Sequence, residues 1–205
     1  MTVVEGDPRL ETSRVKRLVT ATSGQHERLD ASIRAAQPFA NRERYGCLLK
    51  IQHQFHHELD TLNVESRLSQ LIPNLADEAR LRLIEQDLLD LGLDPAVVIT
   101  EPRFDSASID VPTALGWLCV AEGSKLGAAI LLNWAKALGL SETFGARHLA
   151  AAPEGRGLRW KTFTAAFDAV ELSDAEDERV IAGGRAAFSR FQELVDTFLA
   201  PTSQQ

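Results

Sequence analysis

An all-α fold follows from three observations on the sequence. Apolar residues recur at helical spacing in one segment after another. Start and stop signals bracket those segments. No stretch shows the apolar–polar alternation of a half-buried strand. With 205 residues the chain is long enough for one domain with a sizeable core.

The elements follow in order. Residues 1–12 read as a flexible arm and 13–199 as a single helical domain, with 200–205 as a tail. The first helix runs from Ser13 to Ala36, with Val15, Leu18, Thr22, His26, Leu29 and Ile33 on one stripe; Pro38 ends it. Asn41 is a good N-cap for a second helix reaching Leu62. Shorter helices are expected over 64–72 and 75–91, stopped by Pro73 and Gly92, and then a loop over 93–109. Asp110 and Pro112 open a long helix that reaches Leu138 and stops at Gly139. A Gly- and Pro-rich loop covers 144–157, and a helix follows to Val170. Ser173 with Glu176 is a capping box for the last helix, to Leu199.

Composition narrows the function classes. The net charge of −7 argues against general nucleic-acid binding, which needs clustered cations. Basic residues gather between Arg14 and Arg44 and acidic ones over 168–178, where they read as a solvated helix start. Cys47 and Cys119 lack motif spacing, so a reducing cytoplasm is the default. The N-terminus has no apolar signal run, and the apolar stretch around 114–121 is too short to span a bilayer.

Three places carry polar or unusual residues worth a chemical reading. His26 falls within the apolar stripe of the first helix, where either an ordinary hydrogen-bonded histidine or a metal-ligating one fits. On the second helix, Gln52 and His56 lie in the stripe made with Tyr45, Leu48, Leu49, Phe55 and Leu59, as a pair able to order water in a pocket. His53 and His57 have metal-ligand spacing but fall toward the polar edge, where solvation is the simpler reading. The long helix holds Gly123 and Gly127, although each helix-interior glycine costs about 1 kcal/mol relative to alanine. They share a side with Val120, Ser124 and Leu131, with Glu122, Lys125 and Asn133 directed elsewhere. Missing side chains there suit a flat ligand, a kink or close helix packing. Phosphate loops, zinc signatures and a Ser/His/Asp order are absent.

In combination these segments resemble the haem oxygenase family, in its bacterial branch. The resemblance rests on Ala114-Leu115-Gly116-Trp117-Leu118 running into Glu122-Gly123-Ser124-Lys125-Leu126-Gly127-Ala128, and on Phe144-Gly145-Ala146-Arg147-His148-Leu149. His26, Arg28 and Leu29, and then Pro38-Phe39-Ala40, fit the opening helix and its end. It covers residues 13–198.

The resemblance implies a single all-α domain holding haem between a proximal helix and a kinked distal helix. It implies an enzyme that cleaves haem, as cofactor and substrate, to biliverdin, iron and carbon monoxide with dioxygen and external electrons. By the same resemblance His26 is the iron ligand, and Gly123, Ser124 and Gly127 form the distal helix beside the dioxygen site. Gln52 and His56 match positions that order a proton-delivering water network, and Arg185 matches a cation set against a haem propionate. The implied partners are an electron donor such as a ferredoxin or flavin reductase and a phytochrome that receives biliverdin.

The chain departs from the family in places. Ser124 stands where mammalian-type members have aspartate. Val19, seven before His26, replaces a propionate-binding lysine, or the Asn of members that seat haem in a rotated pose. Trp134, seven after Gly127, replaces the Lys of those rotated members. The rotated pose, which gives β and δ biliverdin, therefore lacks its devices, and mainly α biliverdin is expected. A non-enzymatic haem carrier of the same fold is the alternative. A thiaminase-type helical enzyme is weaker, since Cys47 and Cys119 have no His or acid beside them in sequence.

Overall fold

The computed structural model describes residues 13–76, 79–98 and 103–199. They form seven α-helices: α1 (Arg14–Ala36), α2 (Arg42–Val64), α3 (Ser66–Leu71), α4 (Leu81–Asp90), α5 (Val111–Ala137), α6 (Arg156–Ala169) and α7 (Asp174–Phe198). Short 3-10 turns lie at Pro95–Val98 and Arg147–Leu149, and isolated bridges join Ser141 to Phe144 and Gly145. The expected arm 1–12 and tail 200–205 lie outside the described residues.

The start signals act as expected. Ser13 and Asn41 accept the backbone N–H groups of Lys16 and Arg44, and Asp110 accepts that of Thr113. Ser173 and Glu176 cap α7 reciprocally. The fourth helix is shorter than the expected 75–91. Asn74 takes a left-handed backbone (φ 59), and α4 begins only at Leu81, without a side-chain cap. It stops before Gly92, whose φ of 70 is glycine's to adopt at little cost. The loop after it contains the turn Pro95–Val98.

Helix α7 is the spine of the bundle, with α5 and α1 both packed along it. The α5–α7 crossing is backbone against backbone. A Cβ at Gly116 would lie 2.1 Å from the Val180 carbonyl oxygen, and one at Gly183 would lie 2.2 Å from that of Thr113. Close helix packing, one of the readings open for Gly123 and Gly127, belongs instead to Gly116 and Gly183. Around the crossing the core is completed by Trp117, Tyr45, Phe163 and Phe167 with a set of leucines. The Phe55 ring stacks on Trp117 at 5.8 Å and meets Phe191 edge-on at 5.1 Å. Helix α5 is long and apolar enough to cross a membrane by composition, but half of its most apolar window is buried in the bundle, as in a core helix.

The two charged blocks of the sequence meet. Asp177 pairs with Arg14 Nε at 2.5 Å and also with Arg17, and Asp168 accepts the Val15 backbone N–H at 3.0 Å. Arg14 further donates to the carbonyls of Phe167 and Val170. Asp177 thus differs from the expected solvated run: it ties the start of α1 to α7. A second tie centres on buried Glu58 of α2, which accepts Arg190 of α7 at 2.6 Å, Arg103 at 3.0 Å and Gln54 at 3.1 Å.

Candidate functional site

Because α1 and α5 pack chiefly on α7, their flanks above it carry apolar side chains exposed to solvent: Val19 on α1 and Leu126, Ile130 and Trp134 on α5. On α5 the three fall four residues apart on one helical face, and a contiguous exposed apolar stripe marks a place where something else packs. Trp134 closes one end, its ring set edge-on to Phe39 at 5.4 Å.

His26 stands on this flank of α1. The stripe around it is buried at Val15, Leu18, Thr22 and Leu29, but the His26 side chain is 61% exposed. The helical wheel identifies the face correctly; it cannot show that no helix covers that part of the face. Nε2 lies 3.9 Å from Asp30 Oδ1, beyond hydrogen-bond distance, and the ring meets Phe188 of α7 edge-on at 5.7 Å. Arg185, one turn before Phe188, is exposed and donates from Nε to the Ala21 carbonyl at 3.4 Å. His26, Phe188 and Arg185 therefore share the α1–α7 seam.

On α5 the two glycines differ. A Cβ at Gly123 would make ordinary contact with the Trp160 ring at 3.7 Å, while one at Gly127 would meet nothing within 4 Å. No protein group requires glycine at 127. Ser124 is exposed and its hydroxyl donates to the Ala121 carbonyl at 2.7 Å, so its side chain is engaged by its own helix. Gly127→Leu is expected to fold at least as stably as the parent, gaining about 0.8 kcal/mol of helix propensity, and to lose turnover. Thermal unfolding and biliverdin formation measured on the same sample check both halves. Full turnover would show that the open side of Gly127 is idle.

Behind this flank, Gln52 and His56 of α2 are half-buried. Burial, with added repulsion from Lys125, His148, Arg80 and His53, pushes the His56 pKa down to about 3, so its imidazole is neutral. His53 departs from the solvated reading: it is buried, and its Nε2 faces Glu85 of α4 at 3.7 Å. His57 is half-buried, with Nδ1 enclosed and without a hydrogen bond. Among the described residues no group of three or more His, Cys, Asp and Glu side chains gathers to hold a metal ion.

Some residues of the site escape a reading of the sequence. Glu122 is buried and paired with Lys125 at 2.5 Å, and Trp160 of α6 covers Gly123. Phe188 is within reach as the aromatic one turn after Arg185; Glu122 is not, because a carboxylate one turn from a lysine looks the same on a solvated face. An exposed imidazole that makes no hydrogen bond in the fold suits a metal that arrives with its other ligands supplied, as porphyrin iron does.

The chain is similar to known proteins over most of its length. The family model described as Heme oxygenase matches residues 13–197. Heme oxygenase PigA of Pseudomonas aeruginosa is 40% identical over 187 residues, covering 91% of this chain and 93% of that protein. Among solved structures, the NO- and CO-bound heme oxygenase of Neisseria meningitidis superposes with a TM-score of 0.86 at 34% identity, over 94% of this chain and 95% of that one. This chain belongs to the heme oxygenase family.

Proposed function

We propose that the flanks of α1 and α5 enclose haem, with His26 as its iron ligand, and that the ring is opened mainly to α biliverdin with release of iron and carbon monoxide. Membership of the family makes the protein an oxidoreductase that degrades haem. The observation that carries the seating is Gly127. It is a helix-interior glycine that nothing in the protein requires, on the helix that shares the α7 spine with a solvent-facing histidine.

Haem supplies the iron that activates dioxygen and is itself the molecule opened. The chain's own residues do the rest. His26 offers an imidazole nitrogen with no protein hydrogen bond to lose. The bare flank at Gly127 leaves room beside the backbone, and Gly123 one turn earlier leaves room up to the Trp160 ring. Neutral His56 accepts a hydrogen bond at one nitrogen and donates at the other, and with Gln52 it orders the water that carries protons inward. The Ser124 hydroxyl is held by Ala121, so Ser124 serves that water through its backbone.

The isomer follows from the cations. Each propionate gains a charge-assisted hydrogen bond worth about 1.5–3 kcal/mol, enough to choose among in-plane rotations. Arg185 is exposed at the α1–α7 seam, whereas Val19 and the Phe39-backed Trp134 offer no cation. The propionates therefore lie toward Arg185, in the common pose. Chromatography of the extracted product against isomer standards should show a dominant α peak; a dominant β or δ peak would refute the seating. The electrons come from a ferredoxin or flavin reductase, and α biliverdin suits a phytochrome as acceptor. The free cysteines Cys47 and Cys119 fit a cytoplasmic location.

A further inference from the structure

Helix α4 carries two carboxylate–imidazole pairs, on different faces, that differ in their access to water. Asp87 is fully buried and saturated. Its Oδ2 accepts His148 Nδ1 at 2.8 Å and the His148 backbone N–H at 3.0 Å. Its Oδ1 accepts the Arg147 backbone N–H at 2.9 Å and Nη1 at 3.2 Å. With four donors on one carboxylate and His148 buried, this pair is a closed clamp on the turn Arg147–Leu149. Glu85, two residues earlier, is open. Its side chain is 40% exposed, while Oε1 lies 3.7 Å from Nε2 of His53, whose side chain is 2% exposed. The His53 ring stands 6.4 Å from that of His57, and His56 follows at i+3, on the neighbouring position of the same helix surface.

We infer that Glu85 and His53 form the inlet by which solvent protons reach His56. The inlet rests on the proposed reading that His56 serves the dioxygen side of the site. Glu85 is placed to take a proton from water, and its carboxyl then gives that proton to Nε2 of His53 once the exposed side chain closes from 3.7 Å to hydrogen-bond distance. The imidazolium releases its Nδ1 proton toward His56; Glu85 is again a carboxylate, and His53, left as its Nε2–H tautomer, is reset by tautomer exchange before the next proton passes. Imidazole suits the task because it gains at one nitrogen and loses at the other. Burial lowers the His53 pKa, the Glu85 carboxylate opposes that, and His57 adds to the lowering. The protein thus keeps His53 neutral at rest while the carboxylate makes its brief protonation accessible. The charged and titratable neighbours are Lys125 on α5, His148 on the turn after it, Arg80 ahead of α4, and His57 on α2 itself. Glu58, five residues beyond His53, is occupied by Arg190 and Arg103.

The decisive variant is Glu85→Gln, which keeps the shape and removes the acid. In the haem-free protein, NMR titration should show the His53 pKa lower than in the parent, with the unfolding temperature unchanged. With haem bound and ascorbate as electron source, biliverdin formation above pH 7 should fall about tenfold, less than the loss of about 10²–10⁴ for a group that protonates a substrate directly. Peroxide released per electron should rise, and haem affinity should hold. The deficit should shrink toward pH 6, where hydronium reaches the site without help. His53→Phe should show the same pattern, and the double variant should be no worse than the worse single one. If Glu85→Gln couples like the parent at every pH while the His53 titration has moved, the inlet lies elsewhere. The Glu85→Gln result is sufficient even should His53→Phe fail to fold. A parent protein that makes no biliverdin at all would instead overturn the functional reading.

Discussion

His26→Ala is expected to yield a folded protein that has lost its iron ligand and most of its turnover. The side chain is largely exposed and makes no hydrogen bond in the fold, so its removal should change stability by no more than about 0.5 kcal/mol. Haem should still bind, more weakly, through the apolar flanks, but without the spectrum of histidine ligation. Turnover should fall at least on the order of 100-fold, the upper range for losing even an outer partner of a metal ligand. Added imidazole should restore part of the spectrum, because the vacancy left by the side chain opens to solvent. A variant that keeps the parent spectrum would mean that another histidine binds the iron.

The largest effect on stability is expected from Gly183→Ala. Alanine is the better helix former by about 1 kcal/mol, so at an open position the change would stabilise. At 183 the new Cβ would lie 2.2 Å from the Thr113 carbonyl oxygen and 3.0 Å from its carbonyl carbon. Those are backbone atoms of α5, which cannot swing aside as a side chain can, so the helices must part. A net loss of about 3 kcal/mol follows, a fall in Tm of roughly 6–12 °C for a chain of this size. Gly157→Ala on α6, where a Cβ meets nothing within 4 Å, is the matched control and should raise Tm slightly. An unchanged Tm for Gly183→Ala would mean that the crossing is looser than the structure shows.

The helices are legible in the sequence wherever a capping side chain announces them: Ser13, Asn41, Asp110 and the Ser173–Glu176 pair all start the helices expected of them. Helix α4 is not, since its start lacks a side-chain cap. The site is legible in its residue types more than in their surroundings. A helical wheel reports which residues share a face; whether another helix stands opposite is decided by tertiary packing. By its stripe alone His26 reads as enclosed although its side is open, and His53 reads as solvated although α4 covers it. The glycines make the same point. Gly123 and Gly127 stand out by spacing, but it is Gly116 and Gly183, sixty-seven positions apart by their numbering, that depend on each other's helices.

Helix α5 is a beam held near both ends. Its first half is pinned to α7 at Gly116. Beyond its last turn, Arg42 donates to the Leu138 carbonyl at 2.9 Å, Tyr45 to that of Gly145 at 2.9 Å, and Asp90 accepts the Gly145 N–H at 2.7 Å. A beam so held flexes in the span between, which rests on α6 at Trp160, and most where it is least stiff. That span contains Gly123 and Gly127, which have no side chain to brace against the preceding turn. Thermal bowing is thereby confined to that stretch, which on the proposed seating lies beside the haem, and the two ends keep their positions as a substrate enters and a longer, more flexible product leaves.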